Sequence, residues 1–356
     1  MARDRFVLLG LARARSVWFR VVAQWATSAA IPAEFVKCVS GEELGAHLVG
    51  GRAYSAVLLD AGLPSVDRDL IQAARDSGVV VLVVEDGRAR RDWTALGAAA
   101  VLPPDFDREH LLESLATHTS MVGGGDALPG TRPEAYDPGD VREGRVIAVC
   151  GPGGTGASTA AIALAQQLGA DPKGEGPVLL ADLSLRAEQA MLHDARDIVP
   201  GVQELVEAHR GRSPGPEEVR SLTFEVTARH YHLLLGLRRS RYWATVRPRS
   251  FEAAFESLRR AFGTVVCDID ADFEGEEEGG SVDLEERHVM ARVPAQRADA
   301  VVVVGRPGVK GLHSLVRVLA EVLDLGVPTT RIVPVVNGAP RSPRARGEMT
   351  AALAQL

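Results

Sequence analysis

Along the first 120 residues, short apolar runs alternate with stretches whose apolar positions recur every three or four residues. The short runs predict strands and the periodic stretches predict amphipathic helices. Strands are expected over 6–11, 34–39, 56–60, 79–84 and 99–102. Helices are expected over 17–26, 42–49, 68–76, 90–96 and 108–117. Runs that are apolar throughout suit strands covered on both faces. Five such strand–helix units predict a flavodoxin-like doubly wound α/β sheet for residues 1–120.

Residues 121–143 break this rhythm. They are rich in glycine and proline, lack apolar periodicity, and read as a flexible linker. From 144 to 356 the alternation resumes, predicting a second doubly wound α/β domain. It opens with RVIAVCGPGGTGASTAAIALAQQLG: an apolar strand over 146–150, a glycine-rich turn, and a helix from about Ser158. That order is an anion-binding arrangement, because loop amides and the positive helix end face the same point. The candidate phosphate-binding residues are Gly151, Gly153, Gly154, Thr155, Gly156, Ala157, Ser158 and Thr159. Three further landmarks stand at strand ends: Asp182 in VLLADLS, Asp268 in GTVVCDID, and Asn337 in RIVPVVNG.

Composition narrows the function classes. The 356 residues, 46% of them hydrophobic, suffice for two cores. A net charge of −7 does not favour nucleic acid. Six arginines flank LLLGL in the stretch 228–249, but LLLGL reads as a core strand, so DNA is not an expected partner. Cys38, Cys150 and Cys267 lack metal-ligand spacing and sit in or beside apolar runs, as small buried hydrophobes do. No apolar run is long enough to span a bilayer, and Arg13, Arg15 and Arg20 interrupt the first apolar stretch. The expected localisation is cytoplasmic. Nine acids and no base occupy 270–286, read as a solvated acidic insertion.

The turn resembles the deviant Walker A loop of the MinD/ParA superfamily, GKGGxGKST, at Gly151, Gly153, Gly154, Gly156, Ser158 and Thr159. Pro152 and Ala157 stand at the two lysine positions. The resemblance implies ATP or ADP with Mg²⁺ as cofactors, held by the turn, by Ser158 and by Asp268 of a Walker B strand. It implies Asp182 as the residue that orients water, with Ser184 where a second acid is common, and Asn337 as an adenine contact. With both lysines gone, hydrolysis is expected to be weak or absent: one lost charge contact costs on the order of 3 kcal/mol. An active switch using Arg186 or Arg306 instead is the alternative.

The stretch AVLLDAGLPSVD puts Asp60 where receiver domains of response regulators carry their phosphoacceptor, and AAAVLPPDFDREHLLESL resembles a receiver's end. Gly10 to Ala12 replace the expected acidic pair and Pro103 the expected lysine, so Asp60 is expected to be inactive. A receiver-like domain before a MinD/ParA-like domain is the layout of the CpaE/TadZ family, and the loop ending GASTxAxALAQ is similar to actinobacterial septum-site-determining (Ssd-like) proteins. The layout implies a localisation or scaffold role in Tad/Flp pilus assembly or septum-site control, with pilus-assembly or cell-division proteins as partners. It also implies a homodimer, and recruitment to the cell pole, the septum or the inner membrane face. A short tail over 347–356, preceded by Arg341, Arg344 and Arg346, offers a peripheral membrane contact, although a solvated terminal helix is the simpler expectation.

Overall fold

A computed structural model describes residues 5–85, 87, 91–122, 143–174, 176–275 and 282–353. The chain divides into two compact units, Met1–Gly139 with Arg210–Ser213, and Asp140–His209 with Pro214–Leu356. The linker expected over 121–143 falls almost wholly outside the described residues.

In the first unit, strands β1 (Phe6–Leu11), β2 (Ala33–Cys38), β3 (Ala56–Asp60), β4 (Val80–Val84) and β5 (Ala100–Leu102) form one parallel sheet in the order β2-β1-β3-β4-β5. This is the flavodoxin-like order. Helices α1 (Val17–Thr27), α2 (Gly41–Val49), α3 (Arg68–Asp76), α4 (Trp93–Leu96) and α5 (Arg108–His118) connect the strands. Every residue of β1 and β3 is buried, and alternate residues feed two cores. Val7, Leu9 and Leu11 join one, and Phe6 and Leu8 join the other. Ser40, Asp67 and Asp107 cap α2, α3 and α5 by accepting from amides three residues on. The helix expected over 90–96 is shorter, a single turn from Trp93. Asp92 accepts from the Ala95 amide and fixes its start there, and Gly97 at φ +110° ends it.

The second unit holds seven strands in the order β12-β11-β6-β10-β7-β9-β8. They are β6 (Arg145–Cys150), β7 (Val178–Asp182), β8 (Phe224–Val226), β9 (Tyr231–Leu234), β10 (Thr264–Asp268), β11 (Ala300–Gly305) and β12 (Ile332–Val336). The sheet is mixed rather than wholly parallel. Edge strand β8 runs antiparallel to β9, because the short turn Thr227–Arg229 joining them is a hairpin connection and cannot make a crossover. Helix α6 (Ala157–Gly169) follows β6, and a one-turn helix α7 (Gln189–Leu192) follows β7. Helices α8 (Val202–Arg210), α9 (Pro216–Ser221), α10 (Pro248–Ala261), α11 (Val282–Arg297), α12 (Val309–Asp324) and α13 (Pro343–Leu353) complete the covering. LLLGL contributes to β9, and of its flanking arginines Arg238 pairs with Glu204 and Arg249 with Glu252.

The acidic stretch 270–286 is not one insertion. Residues 276–281 lie outside the described residues, while Glu285 and Glu286 belong to α11. Acids near a helix N-terminus are favoured by its dipole. The tail forms α13, with no buried residue and an Arg344–Glu348 pair along it, and 354–356 lie outside the described residues. All three cysteines are buried free thiols, and burial pushes those of Cys38 and Cys150 up to about 11 and about 12. Among the described residues, no helix is long and apolar enough to cross a membrane.

Candidate functional site

The central position of β6, between β11 and β10, gathers the loops after β6, β7 and β10 at one end of the sheet. Crevices beyond the carboxyl ends of parallel strands, where the winding changes direction, are the usual ligand sites of such sheets. A cleft of about 620 Å³ opens there.

Its floor is the turn from Gly151 to Gly156. Gly151 has no room for a side chain: a Cβ would lie 2.2 Å from the Val304 carbonyl oxygen. Gly154 and Gly156 adopt φ +77° and +89°, the left-handed region open to glycine. At Gly153 and Gly154 a Cβ would meet nothing, so the backbone there faces open space. The turn is fastened from behind. The Thr155 amide donates to the Pro152 carbonyl at 3.2 Å, Asn337 Nδ2 donates to the Thr155 carbonyl at 2.9 Å, and Arg306 Nη1 donates to the Gly154 carbonyl at 3.3 Å. In a trans peptide the N–H points opposite to the C=O, so tying back the Thr155 carbonyl turns the Gly156 amide away from Asn337. Ala157, Ser158 and Thr159 form the first turn of α6, whose amides have no acceptor within the helix. Asn337 therefore sits behind the turn and does not line the cleft. Sequence reasoning did not foresee that buttressing position.

The opposite wall is acidic. Strand register sets Asp182 beside Asp268 at the ends of β7 and β10. Asp182 is fully buried and accepts from the Gln189 amide at 2.9 Å and the Ser184 amide at 3.3 Å. Burial, then the neighbouring Asp268 charge, pushes its pKa up to about 7. Asp268 is 2% exposed, accepts from Ser158 Oγ at 3.3 Å and from Gln189 Nε2 at 2.6 Å, and is raised by burial to about 6. Asp270, raised in the same way by burial, accepts from the Leu185 amide at 2.7 Å. Among the described residues the cations lining the cleft are Arg186, Arg287 and Arg317, and no lysine lines it. The structure thus brings together the glycine turn, Ser158, Asp182 and Asp268. It adds Gln189, a buried residue that no motif marks: a lone glutamine in LSLRAEQAML looks like any solvated helix position.

Asp60 ends β3 in the first unit, 1% exposed. Its carboxylate accepts from Arg13 Nε at 3.0 Å, the Arg13 amide at 3.2 Å, the Gly62 amide at 3.0 Å and Ser16 Oγ, and Arg13 Nη2 lies 2.9 Å from its second oxygen. Burial alone would raise its pKa, but the bonds from Arg13, Ser16 and Gly62 outweigh it and lower the value. Gly10, which stands in place of the expected acidic residue, leaves room for the Phe35 ring, 2.2 Å from where a Cβ would stand.

No family profile matches the chain, and no curated protein does. Solved structures similar to it include a ParA family ATPase from Chlorobium tepidum TLS at 16% identity, covering 59% of this chain and 81% of that one with a TM-score of 0.49. The cell division ATPase MinD of Pyrococcus furiosus is similar at 20% identity over 58% of this chain and 80% of its own, TM-score 0.43. A putative plasmid partition protein from Borrelia burgdorferi B31, bound to AMPPNP, is similar at 14% identity over 59% and 82%, TM-score 0.44.

Proposed function

We propose that the second unit, residues 144–356, is a MinD/ParA-type domain that binds Mg²⁺ and ATP or ADP weakly and hydrolyses ATP slowly or not at all. On this reading the chain is a CpaE/TadZ- or Ssd-like localisation or scaffold protein for pilus assembly or septum-site control. Residues 1–120 form its receiver-like domain, joined through the linker 121–143. Partners would be pilus-assembly or cell-division proteins and a second copy of the chain.

One observation carries the reading. The turn over 151–156 presents open backbone and unpartnered helix-start amides opposite Ser158 and Asp268, with no ammonium group among them. The donor set fits the cofactor. Phosphate oxygens suit the amides, and Mg²⁺ is bound through one or two protein oxygens together with phosphate and water. Among the described residues no three acids, histidines or cysteines form a metal cage, which that mode of binding does not need. Ser158 and Asp268 would hold the ion, whose charge would offset that of the phosphates. Asn337 stiffens the turn from behind and, in this arrangement, does not reach the cleft where a base would lie. Asp182, hydrogen-bonded and buried, is the water-orienting residue if turnover occurs.

A fluorescent ATP analogue titrated with Mg²⁺, followed by a phosphate-release assay, tests this. Weak saturable binding with no release above background is expected. Ala157→Lys should tighten binding by about tenfold or more, since it returns one charge contact of the kind worth on the order of 3 kcal/mol. Clear turnover abolished by Asp182→Ala would instead favour an active ATPase switch, for which Arg306 at the Gly154 carbonyl and Arg186 on the cleft wall are the available cations.

A further inference from the structure

We propose that Gln189 guards the cation position of this cleft. Its side-chain amide holds Oδ2, the Asp268 oxygen that does not face Ser158, and so competes with a divalent ion for the carboxylate until the α7 turn withdraws. The proposal rests on the reading above only in taking Ser158 and Asp268 as the cation-holding pair.

Asp268 has two oxygens, and both are taken by this chain. Oδ1 accepts from Ser158 Oγ at 3.3 Å, a bond that leaves the hydroxyl oxygen's lone pairs available. Oδ2 accepts from Gln189 Nε2 at 2.6 Å, the shorter and tighter contact. The same amide nitrogen reaches the Ser158 carbonyl at 3.4 Å, and the Gln189 backbone amide donates to Asp182 at 2.9 Å. One residue therefore grips both strand-end acids. Its two N–H dipoles place partial positive charge where burial has made negative charge expensive. A metal ion or a metal-bound water on Oδ2 must compete with it for that oxygen's lone pairs.

The grip is not a relaxed one. Gln189 is fully buried, yet its Oε1 has no hydrogen-bond partner, and an orphaned buried acceptor is destabilising. The side chain is kept in place by the acids, not by satisfaction of all its own groups. The element that carries it is suited to movement. Helix α7 is one turn of four residues; Met191 and Leu192 are 70% and 36% exposed, so the packing that opposes its withdrawal comes from Gln189 itself and from Ala190. At its far end His193 Nδ1 bonds the Gln189 carbonyl at 2.7 Å, and Nε2 bonds Tyr231 Oη of β9 at 2.6 Å. These bonds tether the Gln189 backbone to β9, so withdrawal must carry His193 along or break its contact with the Gln189 carbonyl.

Gln189→Met keeps the length and volume of the side chain and removes both donors. Mn²⁺ is titrated into the full chain without nucleotide and followed by electron paramagnetic resonance, with thermal melting as a folding control. Gln189→Met is expected to bind Mn²⁺ at least about tenfold more tightly than wild type, and Gln189→Met/Asp268→Asn to lose that gain. Damage to the fold would lower affinity, so a gain marks release of the cation position. Equal or weaker binding by Gln189→Met overturns the proposal, as does a gain that survives Asp268→Asn. Should Gln189→Met not fold, hydrogen exchange on the wild type decides: amides of 189–192 are expected to exchange faster with saturating Mg²⁺ than with EDTA, and equal rates overturn the proposal. A fluorescent ATP analogue that binds neither protein would defeat the nucleotide reading while leaving the Mn²⁺ comparison to decide this one.

Discussion

Arg13→Ala tests whether Asp60 is a structural anion or a chemical one. In the wild type the Asp60 carboxylate is 1% exposed and takes four hydrogen bonds, two of them from Arg13, and Arg13 Nη2 lies 2.9 Å from its other oxygen. Removing one partner of a buried pair typically costs about 3–5 kcal/mol, because the other charge is left uncompensated. Two features moderate that here: the Arg13 side chain is 43% exposed, and the bonds from Ser16, Gly62 and the Arg13 backbone amide survive the substitution. The expected loss is about 2–3 kcal/mol. At about 4 °C per kcal/mol for a unit of this size, its melting midpoint should fall by roughly 8–12 °C. Calorimetry resolves this, with tryptophan fluorescence in support, since Trp18, Trp25 and Trp93 lie in this unit. Asp60→Asn should cost less. The double variant should cost less than the sum of the two, because the residues act as one pair. The sign with pH is fixed by the lowered Asp60 pKa: its contribution is present above the ordinary carboxylate range and is lost as pH falls through the folded value. An Arg13→Ala midpoint within a degree of wild type would refute the reasoning. So would a stable adduct on Asp60 from a small phosphodonor, which must reach oxygens that Arg13 covers.

Two further outcomes follow from the second unit. Gly151→Ala should lower stability and nucleotide binding sharply, since its Cβ would stand 2.2 Å from a backbone oxygen, whereas Gly153→Ala, facing open space, should fold as wild type does; equal melting of the two would contradict the turn geometry. Asp182 and Asp268 have folded pKa values raised to about 7 and about 6, so the folded state binds more protons than the unfolded one through this range and stability falls as pH rises. Hydrogen exchange in β7 and β10 should show at least about 1.4 kcal/mol more protection at pH 5 than at pH 8, one pKa unit's worth, and no difference would remove the buried-acid account.

The sequence displays what depends on repetition and hides what depends on single contacts. Strands such as FVLLGL and AVLLD are legible because a strand covered on both faces must be apolar at every position. Helix starts are legible where Ser40, Asp67 or Asp107 advertises a cap. The glycine turn shows itself because Gly154 and Gly156 take φ +77° and +89° and Gly151 has a carbonyl where a Cβ would stand. Gln189 leaves no trace, since its importance comes from lying opposite Asp268, 79 residues away. Arg13 is equally silent. It looks like one of several surface arginines until β3 brings Asp60 to it. Asn337 was legible as a strand-end landmark but not as a buttress of the turn, because nothing local says that the end of β12 stands behind Thr155.

The same substitution of charge occurs in both units. At Asp60 a cation from the chain itself covers the carboxylate, so nothing further is needed to stabilise it. At Asp182, Asp268 and Asp270 the covering groups are neutral amides and a hydroxyl, and burial has raised all three pKa values. Neutral donors stabilise an anion less than a charge does. The first site is therefore closed electrostatically, while the second keeps an unmet demand for positive charge. In a loop with lysines that demand would be met from the turn. Here Pro152 and Ala157 cannot meet it, and the arginines at the cleft are exposed and screened by solvent. On the proposed reading the positive charge arrives with the ligand, and nucleotide binding here depends on a divalent cation.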